Sequence, residues 1–143
     1  MTECHRTYLV SCVSKKSAGE APARDFYIST WFKAVRRYVE ATGEPWYVLS
    51  AKYGLVRPLQ VLAPYDETLN NMKIAERRAW ASRVMTQIIE FTEPVQTVVV
   101  LAGLRYREFL MDYLEGRFAV EVPMDGLTIG KQLQWLTNHS AHE

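Results

Sequence analysis

The stretch Trp46-Tyr47-Val48-Leu49-Ser50-Ala51-Lys52-Tyr53-Gly54-Leu55-Val56-Arg57-Pro58 decides how the rest of the chain is read. Its first four residues are apolar without alternation, the pattern of a strand buried on both faces. They run straight into Ser50, Lys52 and Tyr53, which donate, accept or carry charge, where the strand must end. Open α/β sheets take their ligands outside the carboxyl ends of the strands. Two more runs share this design. Tyr8-Leu9-Val10 leads into Ser11-Cys12-Val13-Ser14-Lys15-Lys16, and Val98-Val99-Val100-Leu101 leads into Ala102-Gly103. Laid parallel and side by side, the three strands bring these ends to one crevice.

Helical periodicity fills the intervals. After a strand at Thr7–Cys12, residues 14–23 form a loop rich in Ser, Lys, Gly and Pro. A helix opens at Arg24-Asp25 with Ile28, Phe32, Val35 and Val39 on its buried stripe, and Gly43 and Pro45 stop it. Lys52 to Leu69 reads as a long ordered loop, a kind of segment that is disproportionately functional. From about Asn71 to Phe91 a second helix buries Ile74, Ala81, Val84, Ile88 and Phe91 and wets Glu76, Arg77, Arg78 and Arg83. Pro94 lies in the link to Thr97–Leu101, the most β-branched run. A third helix from Gly103 to Gly116 aligns Tyr106, Phe109, Leu110 and Tyr113. Phe118 to Val122 alternates like an edge strand, and Pro123-Met124-Asp125-Gly126 is a turn. Thr128 caps a last short helix carrying Ile129, Leu133 and Leu136, and Asn138 to Glu143 reads as a frayed tail.

The order β-α-β-α-β-α-β-α predicts a single α/β domain over residues 1–143. It is a three-layer sandwich: a mainly parallel central sheet of about four strands, flanked by helices. The alternative is an α+β fold whose fourth strand is antiparallel.

Composition narrows the function classes. Apolar content of 48% and charged content of 23% are those of a globular domain. A net charge of +1 provides no global field toward nucleic acid or membrane, so any basic site must be local. No apolar run approaches a membrane span, and Met1-Thr2-Glu3-Cys4-His5-Arg6 is not the start of a signal peptide, so cytoplasm is the expected compartment. Cys4 and Cys12 make no disulfide framework, and with His5 they lack the paired spacing of a zinc site, so no metal is expected. His5, His139 and His142 sit near the termini, away from every strand end, which argues against Ser-His-Asp or Cys-His catalysis. One glycine in Ala102-Gly103-Leu104 is too few for a dinucleotide fingerprint, and no cofactor is expected.

The strand-end residues that remain are Ser11, Cys12, Lys15, Lys16, Arg24, Ser50, Lys52, Tyr53, Arg57, Asp66 and Gly103. The excess of positive charge among them suits phosphate, or the backbone of a nucleic acid. Acid–base work would fall to Asp66, Asp25, Lys52 or Tyr53. Asp66 in Pro64-Tyr65-Asp66-Glu67 reads either as a cap for the next turn or as a carboxylate facing developing positive charge. Cys12 fits a small buried hydrophobe better than a nucleophile. Trp31, Trp46, Trp80 and Trp135 fit core stripes, whereas Tyr27, Tyr53, Tyr65 and Tyr106 fall at or near strand ends.

Several segments together carry a resemblance. They are Ser11-Cys12-Val13-Ser14-Lys15, Ala21-Pro22-Ala23-Arg24-Asp25-Phe26-Tyr27, the central stretch, and Pro64-Tyr65-Asp66-Glu67-Thr68-Leu69. To these add Leu101-Ala102-Gly103-Leu104-Arg105-Tyr106 and Gly126-Leu127-Thr128-Ile129-Gly130-Lys131. Over nearly its whole length the chain resembles the small bacterial and phage family known as domain of unknown function 6884. The central stretch and Pro64-Tyr65 are also similar to YaaA proteins, linked to peroxide stress and DNA binding, although Asp66 stands where those proteins carry a basic residue. The wider group is similar in architecture to uracil-DNA-glycosylase-like and archaeosine-synthase-like domains. That resemblance implies a three-layer α/β fold and a pocket for a nucleobase or nucleotide, and does not establish cleavage; the leading expectation is an enzyme, or enzyme-derived domain, that breaks an N-glycosidic bond or modifies a base in nucleic acid. Asp66, Lys52 and Tyr53 would be catalytic. Ser11, Cys12, Lys15, Arg24, Tyr27, Ser50, Gly103 and Tyr106 would bind substrate, Lys52 and Arg24 holding phosphate. The rival expectations are a non-catalytic DNA- or nucleotide-binding stress module and an enzyme acting on a phosphorylated metabolite.

Overall fold

The apolar runs form the parallel centre of a five-stranded sheet in the computed structural model of the chain, which describes residues 6–13, 15–90 and 95–140. In chain order the strands are β1 (Arg6–Ser11), β2 (Ala21–Pro22), β3 (Trp46–Ser50), β4 (Gly54–Val56), β5 (Val61–Leu62), β6 (Thr97–Leu101) and β7 (Ala119–Glu121). The helices are α1 (Ala23–Phe26), α2 (Thr30–Thr42), α3 (Ile74–Ile89), α4 (Leu104–Arg107), α5 (Met111–Glu115) and α6 (Ile129–Ser140). The main sheet runs β4-β3-β1-β6-β7. Leu9 lies opposite Tyr47 on one side and Val100 on the other, both in parallel register. Every residue of β3 and β6 is buried, as unalternating apolar strands require when both faces are covered.

The topology fixes the layers. The chain steps from β1 to β3, then returns past β1 to β6 and on to β7. Right-handed crossovers in opposite directions place the connecting helices on opposite faces. On one face α2 packs with α6, and the rings of Tyr38 and Trp135 meet at 5.2 Å. On the other, Trp80 of α3 meets Tyr106 of α4 edge to face at 5.7 Å. The result is the expected three-layer α/β sandwich.

Its details differ from the sequence reading where side chains override periodicity. The helix expected from Arg24 is two helices. α1 stops at Phe26, Tyr27 is extended and bridges Lys16, and Ser29 restarts the chain by accepting the Phe32 N–H at 3.0 Å. A serine hydroxyl competes well for a free helical N–H, so the helix breaks there and leaves Ile28 exposed on the link. The segment from Lys52 to Leu69 is not a plain loop. β4 pairs antiparallel with β3, and β5 pairs with β2, inside the stretch read as a loop over 14–23. Gly54, at φ +77°, makes the β3–β4 turn, and a Cβ there would meet the side-chain amide of Gln87. The fourth strand of the sequence reading, now β7, is parallel, and the antiparallel member of the sheet is β4.

In α3, Ile74 is 56% exposed whereas Arg77, expected to be wet, is only 6% exposed. Arg77 donates to the Met72 carbonyl at 2.6 Å and faces Glu108 at 3.5 Å, so the start of α3 packs on the α4–α5 segment through an ion pair. The third helix divides into α4 and α5, burying Tyr106, Leu110 and Leu114 and exposing Tyr113. Thr128 caps α6 as expected, accepting the Lys131 N–H at 3.3 Å, and α6 continues through Ser140 rather than fraying at Asn138. Cys4, His5, Ser14, Phe91, Pro94, His142 and the end of the tail lie outside the described residues. Among the described residues no helix is long and apolar enough to cross a membrane.

Candidate functional site

Where the chain leaves β1 it heads toward β3, and where it leaves β6 it heads toward β7. This divergence is a topological switch point, the place where doubly wound sheets open a crevice. A cleft of about 510 Å³ lies there. Ser11, Val100, Leu101 and Ala102 form its floor. Gly103 and the short α4 form one wall, and the segment from Val122 to Gln132 forms the other. Trp31 of α2 and Asn70 complete the lining.

The walls are held by side-chain links across elements. Trp31 donates its indole N–H to Gln132 Oε1 at 2.8 Å, and Gln132 Nε2 donates to the Leu127 carbonyl at 2.9 Å. Arg107 donates to Asp125 at 2.8 Å and, through Nε, to the Ala102 carbonyl at 3.1 Å. Arg105 is exposed on the lining, with no hydrogen bond or ion pair among the described residues. Tyr106 accepts the Cys12 thiol hydrogen at 3.3 Å, and burial, followed by the neighbouring Cys12, pushes its hydroxyl well above the ordinary tyrosine value.

On the other side of β1 the strand ends are closed. Ser50 Oγ accepts the Tyr53 N–H at 3.1 Å and donates to Tyr65 Oη at 3.0 Å, and Tyr65 and Tyr27 share a hydrogen bond of 2.7 Å. Trp80 donates to the Ser50 carbonyl at 2.9 Å, and the ring of Phe26 stacks on that of Tyr65. Burial drives the hydroxyls of Tyr27 and Tyr65 far above their usual range, so this cluster is neutral and fully engaged. The Lys16 ammonium lies 4.7 Å from the centre of the Tyr65 ring.

The expected site residues divide between these regions. Ser11, Gly103 and Tyr106 line the cleft. Cys12 is buried behind it against Tyr106, and Tyr27 and Ser50 belong to the closed cluster. Arg24 is paired with Glu40 at 3.0 Å, which also takes Arg36, so its charge is already matched. Lys15 is exposed on the loop after β1. Lys52 is exposed, its ammonium 5.4 Å from the Tyr53 ring centre, and Tyr53 donates to the Ala63 carbonyl at 3.3 Å. Arg57 lies over the Tyr47 ring. Asp66 is exposed in a separate shallow depression with Glu67, Thr68, Asn71, Met72 and Glu76.

Sequence reasoning did not assign Trp31, Asn70, Arg105, Arg107, Asp125 or Gln132 to the site. Arg105 carried a usable signal, since it follows Gly103 by two residues at a strand end. So did Asp125, in a Pro-Gly turn directly after an edge strand. Trp31, Asn70 and Gln132 carried none, because their place depends on contacts between distant segments. Among the described residues no group of three or more His, Cys, Asp or Glu is placed to hold a metal ion.

The chain belongs to the family described as "Family of unknown function (DUF6884)", which it matches over residues 7–138, from β1 into α6. It is similar to the uncharacterized protein YfjM of Bacillus subtilis (strain 168), with 28% identity over 139 residues covering 92% of each chain.

Proposed function

We propose that the cleft between β1 and β6 binds a nucleobase, nucleoside or nucleotide, and that chemistry on this ligand is N-glycosidic cleavage or base modification. One observation carries the reading: a switch-point cleft of about 510 Å³, apolar in its floor, with an indole fixed at one side and, on its lining, a guanidinium that is unpaired among the described residues. Its size is that of a small-molecule site, roughly 300–1,000 Å³. The apolar walls suit the faces of a heterocycle. The Asn70 amide offers a donor and an acceptor for a base edge. Arg105 offers a planar fork to phosphate. In the enzymatic form of the reading, Asp125 is the carboxylate on the cleft wall, oriented by Arg107. Asp66, Lys52 and Tyr53 act on the same ligand only if it extends over the rim.

Gly103→Trp tests the site. Gly103 lines the cleft at φ −69°, and a Cβ added there meets nothing within 4 Å, so an indole can be placed at the cleft wall without disturbing the backbone. Thermal shift is measured against nucleobases, nucleosides, nucleotides and short DNA. A ligand specific to the folded state at 100 times its Kd stabilises by about 2.7 kcal/mol. The expected outcome is a rise in Tm with a mononucleotide-sized ligand that disappears in Gly103→Trp. An equal response in that variant, or a response only to DNA that fades steeply with salt, contradicts the proposal.

A further inference from the structure

Resting on that reading, we infer that the cleft selects a nucleoside carrying a single phosphate monoester, with Arg105 as the residue that sets the preference. The cleft lining contains three charged side chains: Arg105, Arg107 and Asp125. Arg107 and Asp125 cancel at 2.8 Å, and Arg107 also spends its Nε–H on the Ala102 carbonyl. Among the described residues Arg105 is left as the one cation of the lining without a hydrogen bond or ion pair. A guanidinium grips one phosphate through two parallel N–H···O bonds, so one arginine matches one monoester. A diphosphate or triphosphate would carry its further negative charge past Arg105 toward Asp125 or into solvent over the exposed Leu104 and Ile129, where among the described lining residues no second uncommitted cation meets it. The magnesium ion that usually neutralises such charge leans on one or two carboxylates, and the cleft's carboxylate is already held by Arg107. A nucleic-acid strand presents phosphates at regular spacing and gains by matching several cations at once; here it meets one. A nucleoside without phosphate leaves Arg105 hydrated at the surface, which costs little, so the preference for the monophosphate is moderate.

Isothermal titration calorimetry of the full chain tests this with AMP, GMP, CMP and UMP, the matching nucleosides, and the matching triphosphates with magnesium. The expected result is that at least one monophosphate binds roughly tenfold more tightly than its nucleoside, the scale of one charge-assisted contact at a partly exposed site. The triphosphate should bind no better than the monophosphate. Arg105→Ala should bring the monophosphate down to the affinity of the nucleoside, and Arg105→Lys should retain part of the difference. Arg105 is exposed, so both variants should melt with the parent protein, which a control scan verifies. An undiminished monophosphate preference in Arg105→Ala, or a clearly tighter triphosphate, overturns the inference while binding that is lost in Gly103→Trp still upholds the cleft. If the parent chain binds neither nucleosides nor monophosphates, the cleft reading fails and this inference with it.

Discussion

Two neighbouring regions at the carboxyl edge of the sheet were built from similar materials and ended differently. Toward β3, the hydroxyls of Ser50, Tyr65 and Tyr27 are bonded to one another and sealed under Phe26 and the segment from Lys52 to Leu69. Toward β6, Ser11 and Gly103 border an open cleft with an uncommitted arginine. Polar residues at a strand end therefore mark an edge of the sheet, not a site. What separates the two is the path of the chain. From β3 it turns back through β4 and covers the ends behind it, whereas between β1 and β6 it departs in opposite directions and leaves a gap.

Removing the Tyr65 side chain should break the closed region most severely. Tyr65→Ala empties a buried aromatic position and strips Ser50 and Tyr27 of a partner. A cost of about 3–5 kcal/mol is expected, read as a Tm lower by roughly 10 °C or more. A drop of only a degree or two would mean that the cluster is not closed in solution.

Alkaline pH should act through buried tyrosines, Tyr27 and Tyr65 in the closed region and Tyr8 and Tyr106 outside it. Tyr8, buried beside Tyr38, has its hydroxyl pushed up from 10.0 to about 12, and Tyr27, Tyr65 and Tyr106 are shifted in the same direction. A raised value in the folded state means that the native protein holds its proton more tightly than the unfolded chain. The stabilisation is complete below pH 10 and is lost as pH climbs from there. Melting scans from pH 8 to 12 should therefore show Tm level at first and falling steeply above 10. A flat profile would place these hydroxyls in water.

The cleft should behave in the opposite way. Gly103→Trp changes stability by less than about 0.5 kcal/mol, since the position is open, yet removes the ligand response. A large loss of Tm would show that the cleft is filled in solution.

How much of this was legible in the sequence follows from which interactions are local. β1, β3 and β6 could be read directly, because unalternating apolar runs of three or four residues, each ending in small or polar residues, read as buried strands. β2 and β5 could not, since two-residue strands with a proline or beside polar neighbours carry no periodicity. Arg77 was misplaced because its burial depends on Glu108, far along the chain. The carboxyl edge of the sheet was identified, but the residues singled out there leaned toward β3, where the polar side chains are dense. Their partners, Tyr65 for Ser50 and Glu40 for Arg24, were invisible from spacing alone. The open side owes its character to Trp31, Asn70 and the wall from Val122 to Gln132, and space between segments leaves no signature in residue type.

Whether the ligand enters between β1 and β6 is decided by NMR titration of the 15N-labelled chain with the tightest-binding nucleoside monophosphate. Shifts are expected at the backbone amides of Ser11 and Ala102 to Tyr106, at Gly126 and Leu127, and at the indole N–H of Trp31. Shifts confined to Lys52, Tyr53 and the residues around Asp66 would contradict entry there and move the site to the side that is closed here.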